Sequence, residues 1–183
     1  IGHGTLVLDG RGGYAIPGLL DGHVHVESSM LSLTNFSIAA LQRGTTGIFV
    51  DPHEIANVMG RKGVELMMSE SAHLPIKVFF LVPSCVPAVP EMETSGASLS
   101  LGDVVGLLRE GSVVGLAEVM NYPAVVSGDR KMLSEIEAAL RLGKVVDGHY
   151  TGRGGSELAA YVASGASSCH ESVSRRGALE KAR

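Results

Sequence analysis

The sequence contains no tryptophan, and its four phenylalanines and four tyrosines make up only 4% of 183 residues. Any core must therefore be aliphatic. Cysteine is almost as scarce. Cys85 and Cys169 stand far apart and form no CxxC pair, which argues against a disulfide framework or a thiolate zinc site and suits a reducing, cytoplasmic setting. No run of about eighteen apolar residues occurs, so no membrane span is expected. The opening "IGHGTLVLDGRGG" lacks the basic start and apolar stretch of a signal peptide. A strong excess of charge is missing too. The net charge is −4, and the most basic stretch, "SRRGALEKAR", carries a glutamate and reads as a solvated helix face, so no nucleic-acid partner is expected. There is no GxGxxG and no phosphate loop; "TGRGGSE" lacks the lysine and spacing of one.

What is present is a 45% hydrophobic chain with 19% charged residues, enough for a packed domain. Its 24 glycines point to many tight turns. Short apolar runs alternate with helix-like segments. Strands are expected at "LLDGHVHV", "TGIFVD", "IKVFFLV", "VVGLAEVM", "KVVDGH" and "ASSCH". Helices are expected at "TNFSIAALQR" (Thr34 as N-cap), "IANVMGRKGVELMMSES", "LGDVVGLLRE", "DRKMLSEIEAALRLG", "SELAAYVASG" and the tail. The fourth of these is the clearest: Met132, Leu133, Ile136 and Leu140 should share one apolar face, with Asp129 as cap and Gly143 at its end. Six strand-helix units in series mean parallel pairing. Two α/β architectures fit: an open doubly wound sheet, or a partial (β/α)8 TIM-type barrel.

The chemistry-bearing residues are not scattered. Successive odd positions of a strand share a face, so Asp21, His23, His25 and Glu27 in "LLDGHVHVESSM" should all point one way. On a helix the two rings would splay roughly 200° apart; on a strand they can hold one metal ion. A hydrogen-bonded core pair is the plainer alternative, but four further strands end in the same kind of residue. Asp51, His53 and Glu54 follow the second strand, Glu118 ends the fourth, His149 the fifth, and His170 with Glu171 the sixth. All lie at strand C-termini, where parallel α/β folds build their sites. Four imidazoles and a carboxylate suit one or two divalent metals. Cys85, on the Pro-rich loop after the third strand, is a pocket-lining candidate. Cys169 reads as a small buried hydrophobe, and His3 and His73 are given no role.

"PGLLDGHVH" resembles the first barrel strand of the amidohydrolase superfamily, metal-dependent hydrolases built on a (β/α)8 barrel. With "VDPHEIANVMG", "PSCVPAVPEMETSGA", "GLAEVMNYPAVVSGD" and "VDGHYTGRGGSELAAYVASGASSCHES", the chain is similar to the adenine-deaminating branch of that superfamily from about Pro17 onward. The resemblance implies hydrolysis of adenine to hypoxanthine and ammonia with two divalent metal ions, manganese or iron. It implies that His23 and His25 hold the first metal, that His149 and His170 hold the second, and that Glu118 bridges them, with Glu118 and His170 in the catalytic centre. Asp51, His53, Glu54 and Cys85 would contact substrate or support the ligands. It also implies a division at residues 1–16, the remnant of an N-terminal β-domain, and 17–183, a barrel lacking its last strands and the aspartate that they carry. Six units would leave two open edges, which favours association between copies and predicts that the chain alone does not turn over adenine. Two alternatives stand beside this reading: another cyclic-amide hydrolase, and a non-catalytic module.

Overall fold

The computed structural model describes residues 4, 6–90 and 92–182; His3 lies outside them. The six strands are β1 (Leu19–Val24), β2 (Thr45–Val50), β3 (Lys77–Pro83), β4 (Val113–Val119), β5 (Val145–Gly148) and β6 (Ser168–Cys169). The helices are α1 (Leu33–Leu41), α2 (His53–Met59), α3 (Arg61–Ser71), α4 (Leu101–Leu108), α5 (Tyr122–Ser127), α6 (Arg130–Arg141), α7 (Ser156–Ala163) and α8 (Arg175–Lys181).

All pairs are parallel and the spatial order is β1-β2-β3-β4-β5-β6. A doubly wound sheet reverses its order at a switch point. Here each strand lies beside its predecessor throughout, which is barrel winding, and the sheet curls into a partial TIM-type barrel. Strand side chains such as Ile48, Val50, Phe80, Val82, Leu116 and Val146 meet Val64 and Met67 of α3, Leu107 of α4, Ile136 of α6 and Leu158 of α7 in one core cluster. The core is aliphatic apart from Phe80 and the two tyrosines Tyr150 and Tyr161. No helix among the described residues is long and apolar enough to cross a membrane.

Several local expectations are corrected. The 55–71 helix is two helices, because Gly60 takes φ 62°, ψ −144° between α2 and α3, a conformation that only glycine adopts readily. The N-cap of α1 is Ser32, not Thr34: its hydroxyl accepts the Asn35 N–H, while the Thr34 hydroxyl and amide both donate to Glu70. α6 is capped by Asp129 as expected, but it buries Met132, Glu135, Ile136 and Ala139, leaving Leu133 and Leu140 partly exposed. α5 was not signalled by periodicity; it is one short turn of helix capped by Asn121 with Pro123 in its first turn, a position where proline costs nothing.

Departures from regularity also shape β1. Between Asp21 and Val24 the strand takes three steps against two on β2, a bulge, and a 3-10 turn begins at Val26. Asp21 therefore accepts the His23 N–H instead of joining the histidines. Glu27 has left the strand period and accepts the Ile55 N–H. The basic tail is not wholly solvated, since Lys181 of α8 donates to the Tyr150 carbonyl at 2.7 Å and to the Glu171 carbonyl. In the N-terminal stretch, residues 4 and 6–16 contain no strand, and Leu6, Val7 and Leu8 are exposed.

Candidate metal centre

Four strand C-termini deliver one or two polar side chains each to the mouth of the curved sheet. β1 contributes His23 and, one residue beyond it, His25. β4 contributes Glu118, β5 Asp147 with His149 just after it, and His170 follows β6. Their meeting point is a single carboxylate oxygen. Glu118 Oε1 lies 2.9 Å from His25 Nε2, 3.0 Å from His23 Nε2, 3.1 Å from His170 Nε2 and 3.6 Å from His149 Nδ1. The imidazoles also crowd one another: His23 and His25 approach to 3.3 Å through Nε2, and His149 Nδ1 is 3.0 Å from His170 Nε2.

One carboxylate oxygen has too few lone pairs for four donors, and neutral imidazoles facing one another present lone pair to lone pair. Cations placed among them would satisfy every group. The outer nitrogens are arranged accordingly. His25 Nδ1 donates to the Asp51 carbonyl at 3.0 Å and His170 Nδ1 to Asp147 Oδ2 at 3.1 Å, so in each ring the Nε2 lone pair is turned inward, the pattern of metal-bound histidines. Three groups of donors lie within 4.8 Å: His23, His25, Asp51 and Glu118; His23, Asp147 and His170; Glu118, His149 and His170. The residues present fit a divalent metal site.

Without cations, protons fill the role. Burial pulls the His23 imidazole down, but Asp147 and Glu118 outweigh it and raise it to about 9. Glu118 raises His25 to about 9 against burial. Burial likewise opposes, and Asp147 and Glu118 override, in lifting His170 to about 10. Burial disfavours the Glu118 carboxylate, yet His170, His23 and His25 hold it far below the usual range. Asp147 is also depressed, burial being outweighed by His170 and His23.

The backbone at Glu118 is strained. Its φ is +37°, a region costly for a residue with a Cβ. From Leu116 to Val119, β4 takes three steps against the two from Val146 to Gly148 on β5. This bulge re-aims the Glu118 side chain inward.

The other candidates form a supporting layer. Asp51 is fully buried and lies beside His53, with Nδ1 to Oδ2 at 3.3 Å. His53 Nε2 donates to the Cys85 carbonyl at 2.9 Å, and its Nδ1 lies 3.6 Å from Glu118 Oε2. Glu54 sits at the rim, its Oε2 3.8 Å from His25 Nδ1, and accepts from Ser28. The Cys85 side chain is not brought to the cluster; its Sγ lies 3.3 Å from Ser84 Oγ, and burial pushes the thiol up. Cys169 also stays outside, near the Tyr150 amide and Lys181. Asp147 was missed by sequence reasoning, although it stands two residues before His149 at the end of β5, so the rule applied to His23 and His25 would have found it.

A sheet of barrel winding with histidines and carboxylates gathered at its strand C-termini is the architecture of the amidohydrolase class. Residues 14–182 match the amidohydrolase family, and the chain belongs to it. Among curated relatives it is similar to the adenine deaminases of Moorella thermoacetica and Methanococcoides burtonii, each 48% identical over all of this chain and 31% of the relative. It is 49% identical to the adenine deaminase of Archaeoglobus fulgidus over 92% of this chain and 30% of that protein. The chain thus spans about a third of the length of the relatives it matches.

Proposed function

We propose that this chain forms the metal-binding part of an enzyme that hydrolyses adenine to hypoxanthine and ammonia, as the names of its relatives suggest. The observation that carries the reading is the convergence of four imidazoles on Glu118 Oε1. His23 and His25 would hold one ion and His149 and His170 the other, with Glu118 shared. Imidazole and carboxylate donors without thiolates suit manganese or iron. Such a pair supplies Lewis acidity and water acidified toward neutral pH.

The chain's own residues do the rest. Asp147 and the Asp51 carbonyl fix the ring orientations of His170 and His25. His53, held between Asp51 and the Cys85 carbonyl, presents Nδ1 to Glu118. A groove of about 450 Å³ lined by Val89, Pro90, Met120, Tyr122 and His149, among others, opens beside the cluster. Its apolar walls suit a flat purine ring. Two free thiols support a cytoplasmic setting, and the open β1 and β6 edges support pairing with further chain, including another copy.

A chimera tests the function. This sequence replaces its counterpart in the Moorella thermoacetica adenine deaminase, and the manganese-loaded protein is offered adenine, other purines and cyclic amides. Hypoxanthine formation from adenine is expected. Cleavage of a cyclic amide such as dihydroorotate with adenine untouched would refute the assignment in favour of another hydrolase of the family. A metal-loaded chimera inert on the whole panel would refute it in favour of a non-catalytic module.

A further inference from the structure

At the bulge around Glu118, two buried main-chain carbonyls, those of Glu118 and Val119, are met by side-chain hydroxyls. Buried carbonyls need donors, and here side-chain hydroxyls supply them. Ser84, at the end of β3 and 1% exposed, donates from Oγ to the Glu118 carbonyl at 3.0 Å. The same carbonyl accepts the Met120 N–H at 2.5 Å, closing a tight turn over the bulge. On the other side Tyr161 of α7, also 1% exposed, donates from its hydroxyl to the Val119 carbonyl at 2.6 Å and accepts the His149 N–H at 3.1 Å. One phenol therefore ties the residue after Glu118 to the backbone of His149. Acting as donor and acceptor together requires the neutral phenol, and burial pushes its ionisation up.

We propose that Ser84 and Tyr161 are positioning residues: their hydroxyls clamp the strained main chain at Glu118 from both sides and so set where its carboxylate stands relative to His149 and His170. Neither hydroxyl points at the imidazole cluster; both act through the backbone. A left-handed φ at a non-glycine residue persists only where the surroundings over-determine it, and the two hydroxyls are the over-determining contacts. With either removed, Glu118 relaxes toward ordinary strand geometry, and the carboxylate swings away from the shared position. The inference rests on the metal-centre reading in so far as that position is where two ions would be bridged.

The test uses the 183-residue chain and manganous ion. Ser84→Ala and Tyr161→Phe each delete one hydroxyl; Ser127→Ala, whose exposed hydroxyl bonds only the Ala124 carbonyl within α5, is the control. Manganese affinity is measured by EPR titration at a temperature where every variant is folded by circular dichroism. Amide exchange is followed at Met120 and His149 in the metal-free proteins. Both variants should bind manganese about 10–100-fold more weakly, the range typical for a partner that orients ligands. The exchange-coupled signal of a bridged pair should give way to that of isolated ions. The Met120 amide in Ser84→Ala, and the His149 amide in Tyr161→Phe, should exchange faster, while Ser127→Ala behaves as the unsubstituted chain. Unchanged affinity or unchanged exchange in the two variants would overturn the proposal. If the unsubstituted chain binds no manganese, the metal reading fails instead, and the clamp stands or falls on the exchange rates alone.

Discussion

Glu135 offers a test of the fold that does not involve the metal centre. It lies on the buried face of α6 with 0% exposure, and neither carboxylate oxygen has a hydrogen-bond partner. Lys131 reaches only to 3.8 Å and is itself half-exposed. Burial therefore dominates and raises the group from 4.5 to about 7, with Asp129 adding to the rise and Lys131 opposing it. The sign follows from linkage. Below pH 4.5 folded and unfolded chains both hold the proton, and Glu135 costs nothing through ionisation. Between 4.5 and 7 the unfolded chain releases its proton while the fold retains it, so stability falls as pH rises; above 7 the whole penalty is present. At about 1.4 kcal/mol per tenfold, the penalty is roughly 3 kcal/mol. Glu135→Gln keeps size and polarity but cannot ionise. Relative to the unsubstituted chain, its Tm should therefore gain about 6–12 °C more at pH 8 than at pH 4.5, taking about 2–4 °C per kcal/mol for a chain of this length. Differential scanning fluorimetry across that range, without added metal, measures the gap. Histidines that lose protons in the same window cancel in the comparison. A gap of equal size at pH 4.5 and pH 8 would refute the claim that an unpartnered carboxyl is buried at this helix face.

Two further outcomes concern the centre itself. In the chimera at full metal content, Glu118→Gln should lower turnover of adenine far more than Cys85→Ala, because the first removes the charge shared by four imidazoles and the second a thiol outside the cluster; equal losses would contradict the assignment. Asp147→Asn should weaken manganese binding about 10–100-fold by loosening the hold on His170 Nδ1 and by removing negative charge beside His23, as read by titration calorimetry, whereas wild-type affinity would show that Asp147 does not orient those rings.

Much of the site was legible because strand periodicity is local. The spacing of His23 and His25 and the ends of the other strands follow from residue order alone, and His149 and His170 needed only the location of β5 and β6. Asp147 was equally legible by the same period and was passed over. Ser84 and Tyr161 carried no signal of their own: a serine near a strand end and a tyrosine on a helix are common, and only contacts to carbonyls 34 and 42 residues away in sequence give them a role.

The residue order by itself determined six strands, their alternation with helices, the aliphatic core and the clustering of imidazoles and carboxylates at one end of five of them. These rest on local periodicity, turn residues and caps, which act over a few positions. Tertiary structure alone decided the rest. It chose barrel winding over the doubly wound order, because strand order is set by which strands pair across long separations. It also placed the bulges in β1 and β4, which move Asp21 out of the site and turn Glu118 into it. And it buried Glu135 in place of Leu133 and Leu140, because the face that α6 hides is chosen by the shape of the sheet and of α4 beneath it, not by the hydrophobicity of the helix alone.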